Sequence, residues 1–342
     1  MKFYFFIPDI HKLATGGNIF NSHIIKELSG EHEVCRKIVP EVVHPEEIFT
    51  DFHEVPEKKA IIVFTDSILL KNNRFMTGLK SISKDYPVFL LVHYLELLDP
   101  SKSSMKQARQ EKDYLPLFQG FVVTSQYSGK VLQSHGISPE QVAVIRPGLE
   151  ITIPPDKKNF ASPVNILTVS SLFPGKGLLE ILSVLEKLSD LQWRWHLVGE
   201  DRLDPDFTAR FRERVEQSSV RNRIKVHGPV DYRKMSDFYG ENQIFLLPSF
   251  FESCSMVTME AIAAGLPIVA YQTGGLKELI QSGRNGFLIP LNEKNAMERR
   301  LRTLITDSDL RENFGAFSLS LSSHFSGWDK AAEDLLRFLT AF

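Results

Sequence analysis

Two glutamates stand eight positions apart in FESCSMVTMEAIAAGLP, Phe251–Pro267. Glu252 falls in the loop after the apolar run QIFLLPS. Glu260 falls in a segment of small and apolar residues that stops at Gly265. A glycine just past such a segment is a helix stop, so the pattern predicts a helix from about Ser255 to Ala264. Ser253 and Ser255 are both of the N-cap type. The amides near Cys254, Ser255, Met256 and Val257 then stand at a helix N-terminus, where free N–H groups and the positive dipole end receive an anion. A carboxylate inside the helix can accept hydrogen bonds from a vicinal diol such as a ribose, and one in the loop can face a neutral sugar. A pair of exposed surface acids is the plain alternative.

Two further junctions have the composition of phosphate sites. In PDIHKLATGGNIF, Gly16 and Gly17 lie between an apolar run and a helical pattern, where paired glycines let backbone approach a ligand. The spacing is not GxGxxG, so the dinucleotide fingerprint is absent, and a simple turn explains the pair equally well. In TVSSLFPGKGLLEIL, Pro174-Gly175 reads as a turn and Lys176-Gly177 as the start of a helix. A cation there is slightly unfavourable unless an anion joins it. Asp204–Asp206, DPD, reads as a loop and N-cap rather than a metal motif.

The elements that must position these residues are short apolar runs separated by helical patterns. KFYFFI, AIIVFT, VFLLVH, GFVVTS and VAVIRP fill the first 150 residues; VNILTVSS, RWHLVG, RIKVHG, QIFLLPS and PIVAY follow. Unbroken apolar runs of this length fit strands buried on both faces, and their alternation with helices predicts parallel α/β sheets. Residues 151–163 carry prolines and lysines without periodicity and read as a linker. The expected organisation is a first domain over 1–150, a linker over 151–163 and a second domain over 164–327. The amphipathic segment 328–342, with Ala332, Leu335, Leu336 and Leu339 on one face, completes the first domain. Ligands of such sheets bind beyond the carboxyl ends of the strands, and a cleft between the two domains is the expected site.

Bulk composition narrows the class. The chain has 342 residues, 40 basic and 42 acidic side chains and a net charge of −2, which argues against a general nucleic-acid binder. Its two cysteines, Cys35 and Cys254, have no metal-ligand spacing, and reduced thiols are expected. The N-terminal apolar run, cut by Pro8 and Asp9, is too short for a signal peptide, and no run is long enough to cross a bilayer. A cytoplasmic protein is expected, with peripheral contact at the inner membrane face left open. The stretch from Ser101, with Lys102, Lys106, Arg109 and Lys112, could touch an anionic surface; as a solvated helix face, its charge is diluted by Glu111 and Asp113.

At PSFFESCSMVTMEAIAAGLPIVA, Pro248–Ala270, the sequence resembles the retaining glycosyltransferases of family four, also called glycosyltransferase group 1, which have the GT-B fold. The stretch TGGLKELIQSGRNGFLIPLNE, the segments IRPGLE, FPGKG and VHGPV (ending at Val230) and the GWDKAA tail look similar too. The resemblance spans essentially the whole chain and is densest in the second domain. It implies two Rossmann-like domains and transfer of a sugar from a nucleoside diphosphate sugar to an acceptor hydroxyl, without a metal or other cofactor. It also implies roles for residues. Glu260 would hold the donor ribose and Glu252 the transferred sugar. Lys176 and the amides from Ser253 to Val257 would bind the diphosphate, with Ser171 and Val230 at the same donor site. Gly16 and Gly17 would present backbone to the donor, and His93, at the end of VFLLVH, would sit at the sugar.

Two departures stand out. Ser171 occupies a position where the family usually has arginine, which removes a bidentate phosphate grip. Glu252-Ser253-Cys254-Ser255 replaces Glu-Gly-Phe-Gly, so a left-handed backbone there would be strained. The acceptor, whether glycan, lipid-linked or a small molecule, is left open. A catalytically degenerate nucleotide-sugar-binding protein and a nucleotide-sugar epimerase are the competing readings.

Overall fold

Apolar runs become strands here because α/β crossovers cover both faces of a parallel sheet. The computed structural model describes residues 1–13, 15–53, 61–150, 162–291 and 293–342. Of the expected linker, residues 151–161 lie outside the described residues. The chain forms two compact units, residues 1–148 with 327–342, and residues 149–326.

In the first unit, β1 (Lys2–Pro8), β2 (Glu33–Val39), β3 (Ile61–Asp66), β4 (Val88–Val92), β5 (Gly120–Val123) and β6 (Val142–Val144) form one parallel sheet. Its order is β2-β1-β3-β4-β5-β6. The second unit orders β7 (Val164–Val169), β8 (Trp193–Val198), β9 (Ile224–Gly228), β10 (Ile244–Leu247), β11 (Ile268–Tyr271) and β12 (Gly286–Ile289) as β12-β11-β10-β7-β8-β9, again all parallel. The expected α/β class with two parallel sheets is what the chain adopts.

β2 and β12 are absent from the run-based strand expectation. Both are edge strands. EVCRKIV carries charges because one edge and parts of its faces meet solvent, and GFLI is only four residues long. A search for unbroken apolar runs finds strands buried on both faces and passes over such edges.

Each sheet has a reversal of strand order, between β1 and β3 in the first unit and between β7 and β10 in the second. Loops leaving neighbouring strands in opposite directions open a crevice at that point, at the strands' carboxyl ends. The three candidate anion-binding junctions follow β1, β7 and β10, so each lies at such a crevice. Cores fill the space behind them. Phe5 stacks on Phe64 at 4.7 Å in the first unit, and Trp193 and Trp195 are buried in the second.

The C-terminal helix Trp328–Leu339 belongs to the first unit. Ala332, Leu335 and Leu339 are buried as expected, with Leu336 half-buried. A further contact comes from a residue outside that pattern. Trp328 is 4% exposed, stacks on His23 at 4.4 Å and meets Phe20 edge-on at 5.7 Å. Among the described residues no helix is long and apolar enough to cross a membrane.

Trp328→Ala removes this wedge. Substitutions of this kind cost about 3–5 kcal/mol. The expected result is a matching loss of hydrogen-exchange protection in β1–β6; unchanged protection would show that the helix is a passive cover.

Candidate functional site

The second unit's site is built from three loops that share backbone contacts. The loop after β10 carries Glu252. Its Phe250 amide donates to the Gly175 carbonyl of the β7 loop at 3.0 Å. On its other side, Thr273 Oγ1 donates to the Phe250 carbonyl at 3.0 Å, and the Gly275 amide donates to the Glu252 carbonyl at 2.9 Å. Two glycines permit this closeness. Gly177 (φ +63°) faces the Pro248 carbonyl, where a Cβ would lie 2.2 Å away; Gly274 (φ +48°) faces the Glu252 carbonyl, where a Cβ would lie 1.9 Å away. Positive φ is open to glycine at little cost, and no side chain fits at these separations.

This framework brings Lys176 and Glu252 together. Lys176 Nζ lies 2.6 Å from Glu252 Oε1, with the side chains 19% and 11% exposed. Lys176 also lies 5.6 Å above the Phe173 ring. Lys176 ends a short 3-10 turn, Pro174–Lys176, and Gly177 caps the helix Leu178–Glu186, so the lysine precedes the helix instead of opening it. A lysine paired to a carboxylate is held in one place and keeps two ammonium hydrogens for a further acceptor.

The predicted helix runs Met256–Ala263, with Ser255 as N-cap and Gly265 (φ +64°) past its end. Ser255 caps by backbone position alone. Its Oγ accepts from Thr258 Oγ1 at 2.8 Å, whereas the Thr15, Ser125 and Asp204 side chains each accept from a first-turn amide of their own helices. The first-turn amides of Met256 and Val257 precede any acceptor in their own helix. The expected strain is not there: Ser255 has φ −122°, and no described non-glycine residue has positive φ. Ser253, Cys254, Met256 and Val257 are half-buried around it. Asp204 is the expected N-cap, accepting from the Phe207 amide at 2.9 Å.

Glu260 is 5% exposed and does not meet Glu252's lysine. It takes hydroxyl hydrogen bonds from Tyr239, at 2.6 Å, and from Tyr232. Burial pushes its carboxyl up to about 7, with both hydroxyls opposing the shift. The carboxylate retains lone pairs for another donor. Both tyrosines went unread in the sequence. They are seven positions apart in the turn and helix that follow VHGPVD, two helical turns on one side, and that spacing is the signal available. Val230, just before them, is half-buried against the same core.

The first unit has its own cluster at the β1/β3 crevice. Gly16 and Gly17 are the first residues of the helix Gly16–Leu28, not a linker before it. A Cβ on Gly17 would lie 2.9 Å from the His93 ring. His93 Nε2 meets Asn21 Oδ1 at 2.8 Å, and Asn21 Nδ2 donates to buried Asp66 at 2.7 Å. The network places the imidazole proton on Nε2. Burial lowers the imidazole's pKa and Asp66 partly opposes this. Asn21 and Asp66 were not foreseen; the acid ending IIVFTD at a strand's carboxyl end was the visible sign. Beyond this cluster, Lys102 donates to Tyr94 at 3.0 Å. Glu111 does not dilute the basic stretch: it is buried, accepting from the Glu96 and Leu97 amides at 3.2 and 2.9 Å. Lys106, Arg109 and Lys112 are exposed, with Asp113 beside them.

Glu260 makes stability depend on pH. Folded, its carboxyl holds a proton up to about pH 7; unfolded, to its ordinary 4.5. Folding therefore takes up a proton within that window, and stability falls as pH rises through it. At 1.36 kcal/mol per unit the effect amounts to about 3 kcal/mol. Urea unfolding of wild type and Glu260→Gln should show wild type losing that much relative to the variant between pH 4.5 and 8. Parallel pH curves would refute the assignment.

Known proteins resemble the chain in sequence and in fold. Residues 151–318 match the family described as glycosyl transferases group 1. A D-inositol 3-phosphate glycosyltransferase of Xylanimonas cellulosilytica is 27% identical over 230 residues, 62% of this chain and 54% of the relative. A putative colanic acid biosynthesis glycosyltransferase WcaL of Escherichia coli is 28% identical over 180 residues, 50% and 43% of the two chains. The matches thus span about half the length of these curated relatives. Among solved structures, sucrose-phosphate synthase of Thermosynechococcus elongatus has a TM-score of 0.82 at 17% identity, covering 100% of this chain and 99% of its own. Anabaena Alr3699/HepE, solved in complex with UDP-glucose, has 0.82 at 18% identity, covering 100% of both. The second unit thus matches the glycosyl transferases of group 1 along most of its length, and the fold of the chain is GT-B.

Proposed function

We propose that the protein transfers a sugar from a nucleoside diphosphate sugar to an acceptor hydroxyl with retention at the anomeric carbon, needing no metal. The observation that carries this is the meeting of Lys176, Glu252 and the Met256–Val257 helix start at the β7/β10 crevice. One ammonium and two outward amides suit a diphosphate, and a carboxylate beside them suits sugar hydroxyls.

The anomeric C–O bond to the β-phosphate breaks as a new C–O bond to the acceptor oxygen forms on the same face. The acceptor's proton passes to the leaving phosphate oxygen. Charge develops on the diphosphate, and preorganised donors stabilise it most at that point. Lys176 turns from Glu252 toward the diphosphate, and Glu252 then accepts from the sugar. Glu260, fixed by Tyr232 and Tyr239, holds the ribose diol. For Gly16, Gly17 and His93 of the first unit, a donor role is proposed on the resemblance alone. The Lys106–Lys112 face is the proposed contact with a membrane surface or an anionic acceptor.

Two relatives named for glycosyl transfer support this class, as does a fold neighbour solved with UDP-glucose. Calorimetry with UDP, GDP, ADP and CMP tests it. One nucleotide should bind wild type, and Glu260→Ala should weaken it by about tenfold or more, the order of one lost charge-assisted pair. Lys176→Ala should then lower kcat with that base's sugar donors far more than it changes folding. Binding that persists equally in Glu260→Ala would overturn the ribose assignment. Binding without turnover would favour the degenerate reading.

A further inference from the structure

One cation does not match a diphosphate. Lys176 is already paired to Glu252, and Ser171 supplies no charge where the resembled family usually has arginine. The loop after the neighbouring strand β8 carries a guanidinium, Arg202, on a carboxylate that stands at the matching position, Glu200. The β7–β8 ladder pairs Val169 with Val198 and continues past both strands, with the Ser170 amide donating to the Val198 carbonyl and the Leu172 amide to the Glu200 carbonyl, each at 2.8 Å. This register sets Ser171 beside Glu200, about 4.8 Å away across the ladder, with their side chains on one face. Alternation puts that face on the side of Val198, which packs in one cluster with Tyr239 and the Glu260 helix.

Glu200 has no exposed side-chain surface, yet its partner Arg202 is 65% exposed. Arg202 Nε and Nη2 each donate to Glu200 at 2.7 Å, and its backbone amide donates at 3.1 Å. A buried carboxylate therefore holds an exposed guanidinium in the loop at the carboxyl end of β8, next to β7. The fork leaves both Nη1 hydrogens and one on Nη2 for another acceptor. Arg212 and Arg214 hold Asp201 and Glu186 instead, and Arg233 holds Asp231.

We infer that Arg202, positioned by Glu200, grips the donor's diphosphate in place of an arginine at 171, and that Ser171 is small because Arg202 occupies the space beside it. This rests on the donor-site reading above. A serine at 171 then relocates the phosphate clamp one strand over instead of disabling it.

Calorimetry with UDP and UMP, or with whichever base binds, separates the possibilities. Wild type should bind the diphosphate more tightly than the monophosphate. Arg202→Ala should weaken the diphosphate by about tenfold or more, the order expected for one charge-assisted clamp, and the monophosphate by less than about threefold. Glu200→Gln/Arg202→Ala guards against an unpaired buried carboxylate unfolding the loop, and should show the same selective loss. Ser171→Arg in that background should restore much of the diphosphate preference. Equal weakening of both nucleotides, or an unchanged diphosphate affinity, overturns Arg202's role while leaving the donor site standing. A wild type that binds no nucleotide, or does not favour the diphosphate, overturns both.

Discussion

The second unit depends on how closely the β10 loop approaches its neighbours. Its Pro248 and Glu252 carbonyls face Gly177 and Gly274 at separations that exclude any Cβ. Backbone hydrogen bonds from Phe250 and Gly275 close the same contacts. With the loop fixed on both flanks, Glu252 has one place to be, and Lys176 reaches it from the adjoining loop. The helix Met256–Ala263 then starts at the reversal of strand order, with its first amides outward.

The same packing accounts for Glu260. A carboxylate at this depth needs donors, because an unpaired buried charge is expensive. Tyr232 and Tyr239 supply them from the segment after β9, yet burial still wins, and the carboxyl stays near neutrality. His93 follows a similar logic in the first unit. Asn21 bridges it to Asp66, so a ring pressed against Gly17 is held in one tautomer. In each unit a titratable side chain is fixed by polar partners brought from distant parts of the sequence.

The two departures from the family pattern resolve differently. The lost glycines of the Glu252 loop cost no backbone strain, since the serines there keep negative φ. The glycines that close approach requires are Gly177 and Gly274, on the flanking loops. Ser171 leaves a real gap in charge, and the sheet register sets Glu200, with Arg202 on its carboxylate, beside that gap.

The sequence by itself determined the class of sheet, ten of the strands, the helix over Glu260 with its stop, and the family resemblance at Pro248–Ala270. These are local signals: apolar runs, capping residues and glycine stops act within a few positions. It passed over the edge strands β2 and β12, whose polarity reflects one-sided burial. Trp328, Tyr232, Tyr239, Asn21 and Asp66 escaped it as well. Only the tertiary structure decided that Lys176 pairs with Glu252, 76 positions away, that Glu111 is buried, and that Glu200, the partner of Arg202, stands beside Ser171. Such pairings depend on strand order and register, and those are fixed by long-range packing that no local pattern encodes.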